Sequence, residues 1–290
     1  MSILLIGKSG QLGSDLRTIA QKRTIDLVSF DPPDVDITKV ATIRKAIAKA
    51  KPEAVICTAA FHEVDICESM YLRAFEVNAQ GIANVAKETA VAGIPCVTFS
   101  SDYVFHRQLG EKPLIESDSP NPKSIYAASR LAGEKMALDN NPEAAIIRTC
   151  GLYGLTPPAG KKDSFPGIML SLAEAGNTIK VVNDQICTPT WTHPLAHVVF
   201  DIIEHRLSGI IHATAGGECS WYDFAKAIFD LAGVEAKLQA ITSKQYKAAA
   251  VRPPYSVLEN KRLKEAGLDR FGHWRDELAL YLKERLAITL

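Results

Sequence analysis

The strongest constraint on the fold is an alternation. Short, almost wholly apolar runs of strand length recur through the first half of the chain, at 2–6, 26–30, 54–57, 95–99 and 144–147. Segments with helical spacing of apolar residues separate them, at 12–20, 42–50, 71–92 and 127–138. A strand that is apolar all round has to be covered on both faces. The pattern therefore predicts a parallel sheet with helices on each side, joined by right-handed crossovers. Ligands of such doubly wound sheets bind beyond the carboxyl ends of the strands. The residues just after each strand are the ones that matter for function.

The texture changes after residue 150. A loop rich in Pro and Gly at 155–162 leads to a helix at 165–175 and a short strand at 178–182. A second helix at 194–204 precedes a strand at 209–213 that returns to the sheet, and Ser220 N-caps the next helix. An amphipathic helix at 273–285 ends the pattern. Two lobes are expected. The first is a dinucleotide-binding domain of residues 1–152 with a return segment at about 193–214. The second is a smaller substrate lobe of residues 153–192 and 215–290.

Composition excludes several classes. Lys plus Arg equals Asp plus Glu at 33 each, so no basic surplus points to nucleic acid. No apolar run approaches the ~20 residues that span a bilayer, so no membrane role and a cytoplasmic location are expected. The six cysteines form no C-x-x-C pair, which argues against both zinc and a disulfide framework, and no metal is expected. Cys57, Cys96 and Cys150 fall in apolar runs and read as small core residues.

The first strand runs into Gly7-Lys8-Ser9-Gly10-Gln11-Leu12-Gly13 and then a helix. Strand, glycine turn and helix is the arrangement that cradles a pyrophosphate on backbone N–H groups, and it makes the fold Rossmann-type. The spacing is G-x-x-G-x-x-G, which a ligand-free tight turn would also fit. The second strand ends in Asp31, placed to accept from adenosine ribose hydroxyls and to favour NADH over NADPH. Lys8 could soften that preference, and a turn aspartate before Pro32-Pro33 is the plainer alternative. Asp36 and Ile37 fall where the adenine would lie, and the small Ala59 and Ala60 after the third strand admit a cofactor closely. His62 follows, either as a catalytic group or as an ordinary exposed loop residue.

The fourth strand ends in Ser100-Ser101-Asp102-Tyr103. Tyr126 and Arg130 come next, four apart and so on one face of a helix. A hydroxyl, a phenol and a cation beside a nicotinamide make a proton-transfer device for carbonyl reduction, because a cation favours the phenolate. A solvated helix face would show the same Y-x-x-x-R.

In sequence order, these stretches resemble the extended short-chain dehydrogenase/reductases, and most closely the dTDP-4-dehydrorhamnose reductase family. The likeness spans nearly the whole chain. It rests on residues 3–13, Val64-Asp65 with Glu68, Val77-Asn78, residues 100–105, and Tyr126 with residues 131–134. It continues through residues 183–185, Pro189-Thr190, residues 220–223 and Arg252-Pro253. The resemblance implies NADPH or NADH as cofactor, a nucleotide-sugar substrate and, where the chain self-associates, a homodimer. It implies that Gly7, Ser9, Gly10, Gln11, Leu12 and Gly13 hold the pyrophosphate. By the same likeness Ser101, Tyr126 and Arg130 are catalytic, and Val64, Asp102, Tyr103, Gln185 and Arg252 face the substrate.

Four positions depart from that family's usual pattern. Arg130 stands where Lys is usual, His62 where Thr is, and Cys187 where Gly is. Gly151 occupies a position that usually carries Trp, so an aromatic wall against the substrate is expected to be missing. The implied activity is reduction of the C4 keto group of a nucleotide-linked 6-deoxy sugar. The alternatives are a related sugar-nucleotide reductase or epimerase and a non-catalytic, dinucleotide-binding regulatory subunit.

Overall fold

The computed structural model describes residues 1–110, 112–158 and 160–289. Six strands form one parallel sheet: β1 (Ser2–Ile6), β2 (Asp26–Phe30), β3 (Ala54–Cys57), β4 (Cys96–Ser101), β5 (Ala145–Thr149) and β6 (Gly209–His212). Their order across the sheet is β6-β5-β4-β3-β1-β2. The strand at 209–213 does rejoin the sheet, pairing in parallel with β5 from Gly209 against Ala145 to His212 against Arg148. Strand β1 lies between β2 and β3, so the chain winds outward from it in opposite directions. That reversal opens a crevice at the carboxyl ends of β1 and β3.

The helices that matter here are α1 (Gln11–Lys22), α2 (Val40–Ala50), α3 (Ile82–Ala92), α4 (Ile125–Asn140) and α5 (Thr192–Glu204). Alternate residues of β1 point to opposite faces. Ile3 and Leu5 pack with Leu16 and Ile19 of α1 and Val198 and Val199 of α5. Leu4 and Ile6 pack with Ile43 of α2 and Val85 and Ala86 of α3. All four β1 side chains are wholly buried, each contributing about 2 kcal/mol of transfer free energy. Burial on both faces is why the run is continuously apolar and not alternating.

The segment read as one helix over 71–92 is interrupted. It begins as Tyr71–Phe75, passes through a π turn at Glu76–Gly81 and continues as α3. The wide turn carries Asn78, whose amide is spent on three partners. Phe61 N donates to its Oδ1 at 2.8 Å, and its Nδ2 donates to Phe61 O at 2.9 Å and to Ser129 Oγ at 3.1 Å. Helix α4 presses against this turn so closely that a Cβ on Gly133 would lie 2.1 Å from Asn78 O. One buried asparagine therefore ties the loop after β3 to the helix that bears Tyr126 and Arg130.

A third apolar cluster gathers Tyr153, Trp191, Phe224, Trp274 and Tyr281 with Ile179 and Val181. The strand Thr178–Val182 is present and pairs in parallel with Lys237–Ile241. The sequence pattern missed the second partner because Lys237, Gln239 and Ala240 are exposed, leaving no apolar run. Ser220 does N-cap the helix Trp221–Ala232, and its side chain exchanges hydrogen bonds with the Asp223 backbone and carboxylate. Among the described residues, no helix is long and apolar enough to cross a membrane.

Candidate active site

A cleft of about 730 Å³ runs across the carboxyl ends of the central strands. At one end lies the glycine turn. Gly7 has φ of +101°, and a Cβ there would sit 2.3 Å from Thr58 Oγ1. A Cβ on Gly13 would lie 2.0 Å from Gly7 O. The positive φ at Gly7 and the backbone beside Gly13 therefore demand both glycines. Gly10 is different: its φ of −73° suits any residue, and a Cβ would meet nothing nearer than Gly7 O at 3.9 Å. The space beside Gly10 belongs to the cleft. Gly10 also N-caps α1 with no side-chain hydrogen bond, and the first turn holds no acidic residue. The helix start thus presents its N–H groups and positive dipole end to the cleft, a cradle that fits a pyrophosphate.

Asp31 is half-buried on the same wall, and Ser9 N lies 3.5 Å from its Oδ1. Ser9, Gln11, Leu12, Asp36, Ile37, Ala59 and Ala60 all line the cleft, as does Asp31, whereas Lys8 does not. The Asp36 carboxylate also accepts from Thr38 N at 3.0 Å and from Thr38 Oγ1 at 2.8 Å. Although burial alone works the other way, those bonds and Lys39 hold its carboxyl below the ordinary range.

His62 is not an exposed loop residue. It is half-buried and lines the cleft. Burial, with the charge of Lys161 next in size, pushes its imidazole below the usual range, so it is neutral near pH 7. Tyr126 and Arg130 also line the cleft, with the guanidinium carbon 5.7 Å from the phenol ring centre. Arg130 is 6% exposed, and its Nε has no hydrogen-bond partner. No carboxylate pairs with it among the described residues. A buried cation with no carboxylate partner among the described residues is costly, and it suits a site completed by the hydroxyls of a bound ribose.

Ser101 ends β4 and Asp102 opens the short 3-10 turn that follows. The Ser101 hydroxyl donates to Asp102 Oδ1 at 2.9 Å and accepts from Tyr103 N at 3.2 Å. Asp102 also lines the cleft; the residue is 2% exposed, and its carboxyl is shared among protein partners. Ser256 Oγ donates to its Oδ2 at 2.6 Å, and Cys150 Sγ lies 3.0 Å from the same oxygen. Burial raises its carboxyl above the ordinary range. Asp102 therefore joins β4, the end of β5 and the segment near 256 into one frame. Tyr103 lines the cleft and meets Tyr126 edge-on at 5.8 Å between ring centres. Burial pushes its phenol up, so it stays protonated.

Beneath this frame lies a buried network that sequence reasoning did not single out. Arg148 and Glu134 form a bidentate pair at 2.9 and 2.7 Å, and Ser100 Oγ donates to Glu134 Oε1. Both side chains are under 5% exposed. The pair locks α4 to the ends of β4 and β5. An arginine on a strand and a glutamate on a helix 14 residues earlier carry no local signal of this contact.

Beyond β5 the cleft is lined by Cys150, Gly151, Gln185, Cys187 and Trp221. Gln185 Nε2 donates to Ser243 Oγ at 2.7 Å. Val64 lines the cleft as expected. The Arg252 guanidinium is bonded to Asp65 at 3.0 and 2.7 Å, and the next residue, Pro253, lines the cleft. At Gly151 a Cβ would lie 3.3 Å from Trp221 Cη2, so the Trp221 indole stands directly beside the position that carries no side chain.

Comparison with known proteins places this geometry. The RmlD substrate binding domain family model matches residues 1–287. The spore coat polysaccharide biosynthesis protein SpsK of Bacillus subtilis is 35% identical over 283 residues, covering 98% of this chain and 97% of that protein. A solved dTDP-4-dehydrorhamnose reductase of Clostridium acetobutylicum has 36% identity and a TM-score of 0.92, with both chains fully covered. Another, from Bacillus anthracis and in complex with NADP, has 31% identity and a TM-score of 0.91 over 98% of this chain and 100% of that one.

Proposed function

This chain belongs to the RmlD substrate binding domain family, and on that premise we propose that it reduces the C4 keto group of dTDP-4-dehydro-L-rhamnose to give dTDP-L-rhamnose for cell-surface polysaccharide synthesis. It is an NAD(P)H-dependent reductase of sugar nucleotides. One observation supports the carbonyl-reduction chemistry of this reading. A phenol and an unpaired buried cation, one helical turn apart on α4, line the same cleft as a glycine turn with an open helix start.

Gly7, Gly10 and Gly13 shape the turn that receives the pyrophosphate, and Asp31 and Arg130 take the two ribose units. Bound NAD(P)H supplies the hydride to C4. Tyr126 donates its phenolic proton to the C4 oxygen as negative charge develops there. Arg130 stabilises the charge left on the phenol oxygen. The Ser101 hydroxyl turns its hydrogen from Asp102 to the same C4 oxygen, and Asp102 keeps its bonds from Ser256 and Cys150. In the division of labour proposed here, residues 1–152 with the return segment 193–214 hold the dinucleotide, while 153–192 and 215–290 close over the sugar nucleotide. Binding of the nucleotide end positions the sugar for reaction.

The test is a matrix of NADH and NADPH against several 4-keto-6-deoxy sugar nucleotides, followed by loss of reduced-nicotinamide absorbance and product identification. Turnover highest with dTDP-4-dehydro-L-rhamnose supports the reading. Turnover confined to another sugar, or none with any, contradicts it.

A further inference from the structure

Of the three tryptophans, Trp191 and Trp274 are 3% and 6% exposed and belong to the third apolar cluster. Trp221 is half-buried and lines the cleft. Phe165 and Phe224 hold its indole from behind, at 4.9 and 6.2 Å between ring centres. The Ser220 capping box fixes the start of its helix. In front, Gly151 has φ of +52°, and a Cβ there would stand 3.2 Å from Pro189 Cα and 3.3 Å from Trp221 Cη2. Gly151 presents no side chain to the cleft, and the indole stands directly beside it.

Its position decides what it meets. Gly151 follows Cys150, which contacts the Asp102 carboxyl that also takes the Ser101 hydroxyl. The indole is therefore on the Ser101 side of the cleft. We infer that Trp221 is the sugar-recognition residue of this enzyme: a rigid aromatic wall against which the C–H face and methyl group of the 6-deoxyhexose pack. The inference rests on the reductase reading above. A 6-deoxy sugar has lost one hydroxyl and presents more apolar surface than an ordinary hexose. A fixed aromatic side chain rewards such surface without paying ordering entropy.

The experiment compares dTDP-L-rhamnose with dTDP, both titrated onto NADP-saturated protein and followed by calorimetry and tryptophan fluorescence. Wild-type protein binds dTDP-L-rhamnose more tightly than dTDP, and its fluorescence responds to the sugar nucleotide. Trp221→Ala weakens dTDP-L-rhamnose about tenfold and leaves dTDP and NADP within about twofold. Trp221→Phe keeps the packing on Phe165 and recovers part of the loss. Gly151→Ala crowds the indole and weakens the sugar nucleotide while still melting cooperatively. Equal losses for dTDP and dTDP-L-rhamnose would put the indole on the base and overturn the inference, as would no loss in any variant. Wild-type protein that does not distinguish the two ligands overturns the reductase reading itself, and the inference with it.

Discussion

Two glycines of one turn give opposite expectations. In Gly13→Ala, the new methyl would lie 2.0 Å from Gly7 O and 3.0 Å from two further backbone atoms, none of which can rotate away. The turn or the start of α1 has to shift, which costs on the order of 3 kcal/mol. For a chain of this size that lowers the melting temperature by roughly 10 °C. In Gly10→Ala, the methyl meets no protein atom closer than 3.9 Å, and φ of −73° suits alanine. The loss of a favourable N-cap residue, about 0.5 kcal/mol, is offset by lower unfolded-chain entropy of similar size. The melting temperature of Gly10→Ala should therefore move by no more than about 2 °C. Its methyl nevertheless stands where a phosphate must approach the N–H groups of α1. One lost charge-assisted hydrogen bond of about 1.5–3 kcal/mol corresponds to roughly 10–100-fold in affinity. Thermal melts and calorimetric titration with NADPH read the two effects separately. Gly10→Ala protein that binds NADPH as tightly as wild type would show that the pyrophosphate does not lie on this turn.

The other perturbations probe the frame. Glu134→Gln leaves the Arg148 guanidinium buried beside an uncharged partner and should cost about 3–5 kcal/mol in urea unfolding; a loss below 1 kcal/mol would mean that the pair does not lock α4 to the sheet. Burial raises the Glu277 carboxyl from 4.5 to about 7, so the folded state binds a proton more tightly than the unfolded chain. Stability from this group is full below about pH 4.5 and is lost as pH rises through about 7, on the order of 3 kcal/mol in all. Relative to wild type, Glu277→Gln should gain stability between pH 5 and 8, and parallel pH profiles for the two would contradict this.

How much of this was legible in the sequence depended on the range of the contact. The sheet and its covering helices were readable because burial on both faces writes itself into each strand as an apolar run, as in Ile3-Leu4-Leu5-Ile6. The glycine turn and the Tyr126/Arg130 pair were readable because their spacing is local. The protein contacts of Asp102 and Arg252 were not: their partners Ser256 and Asp65 lie 154 and 187 residues away in sequence. Each side chain turned out to be engaged with the protein before any ligand arrives. Trp221 belongs to the stretch 220–223, but its place beside Gly151 depends on how the helix Trp221–Ala232 docks near the end of β5. The π turn at Asn78 was equally hidden, because a single wide turn inside a longer helix carries no residue signature of its own.

The central claim is that Tyr126 protonates the oxygen that hydride transfer creates. The most direct measurement is NADPH oxidation by wild-type and Tyr126→Phe protein with saturating dTDP-4-dehydro-L-rhamnose, alongside calorimetric binding of NADPH to each. Turnover should fall roughly 10²–10⁴-fold in the variant while NADPH binds with near wild-type affinity. Turnover within a few fold of wild type would mean that the proton comes from somewhere else.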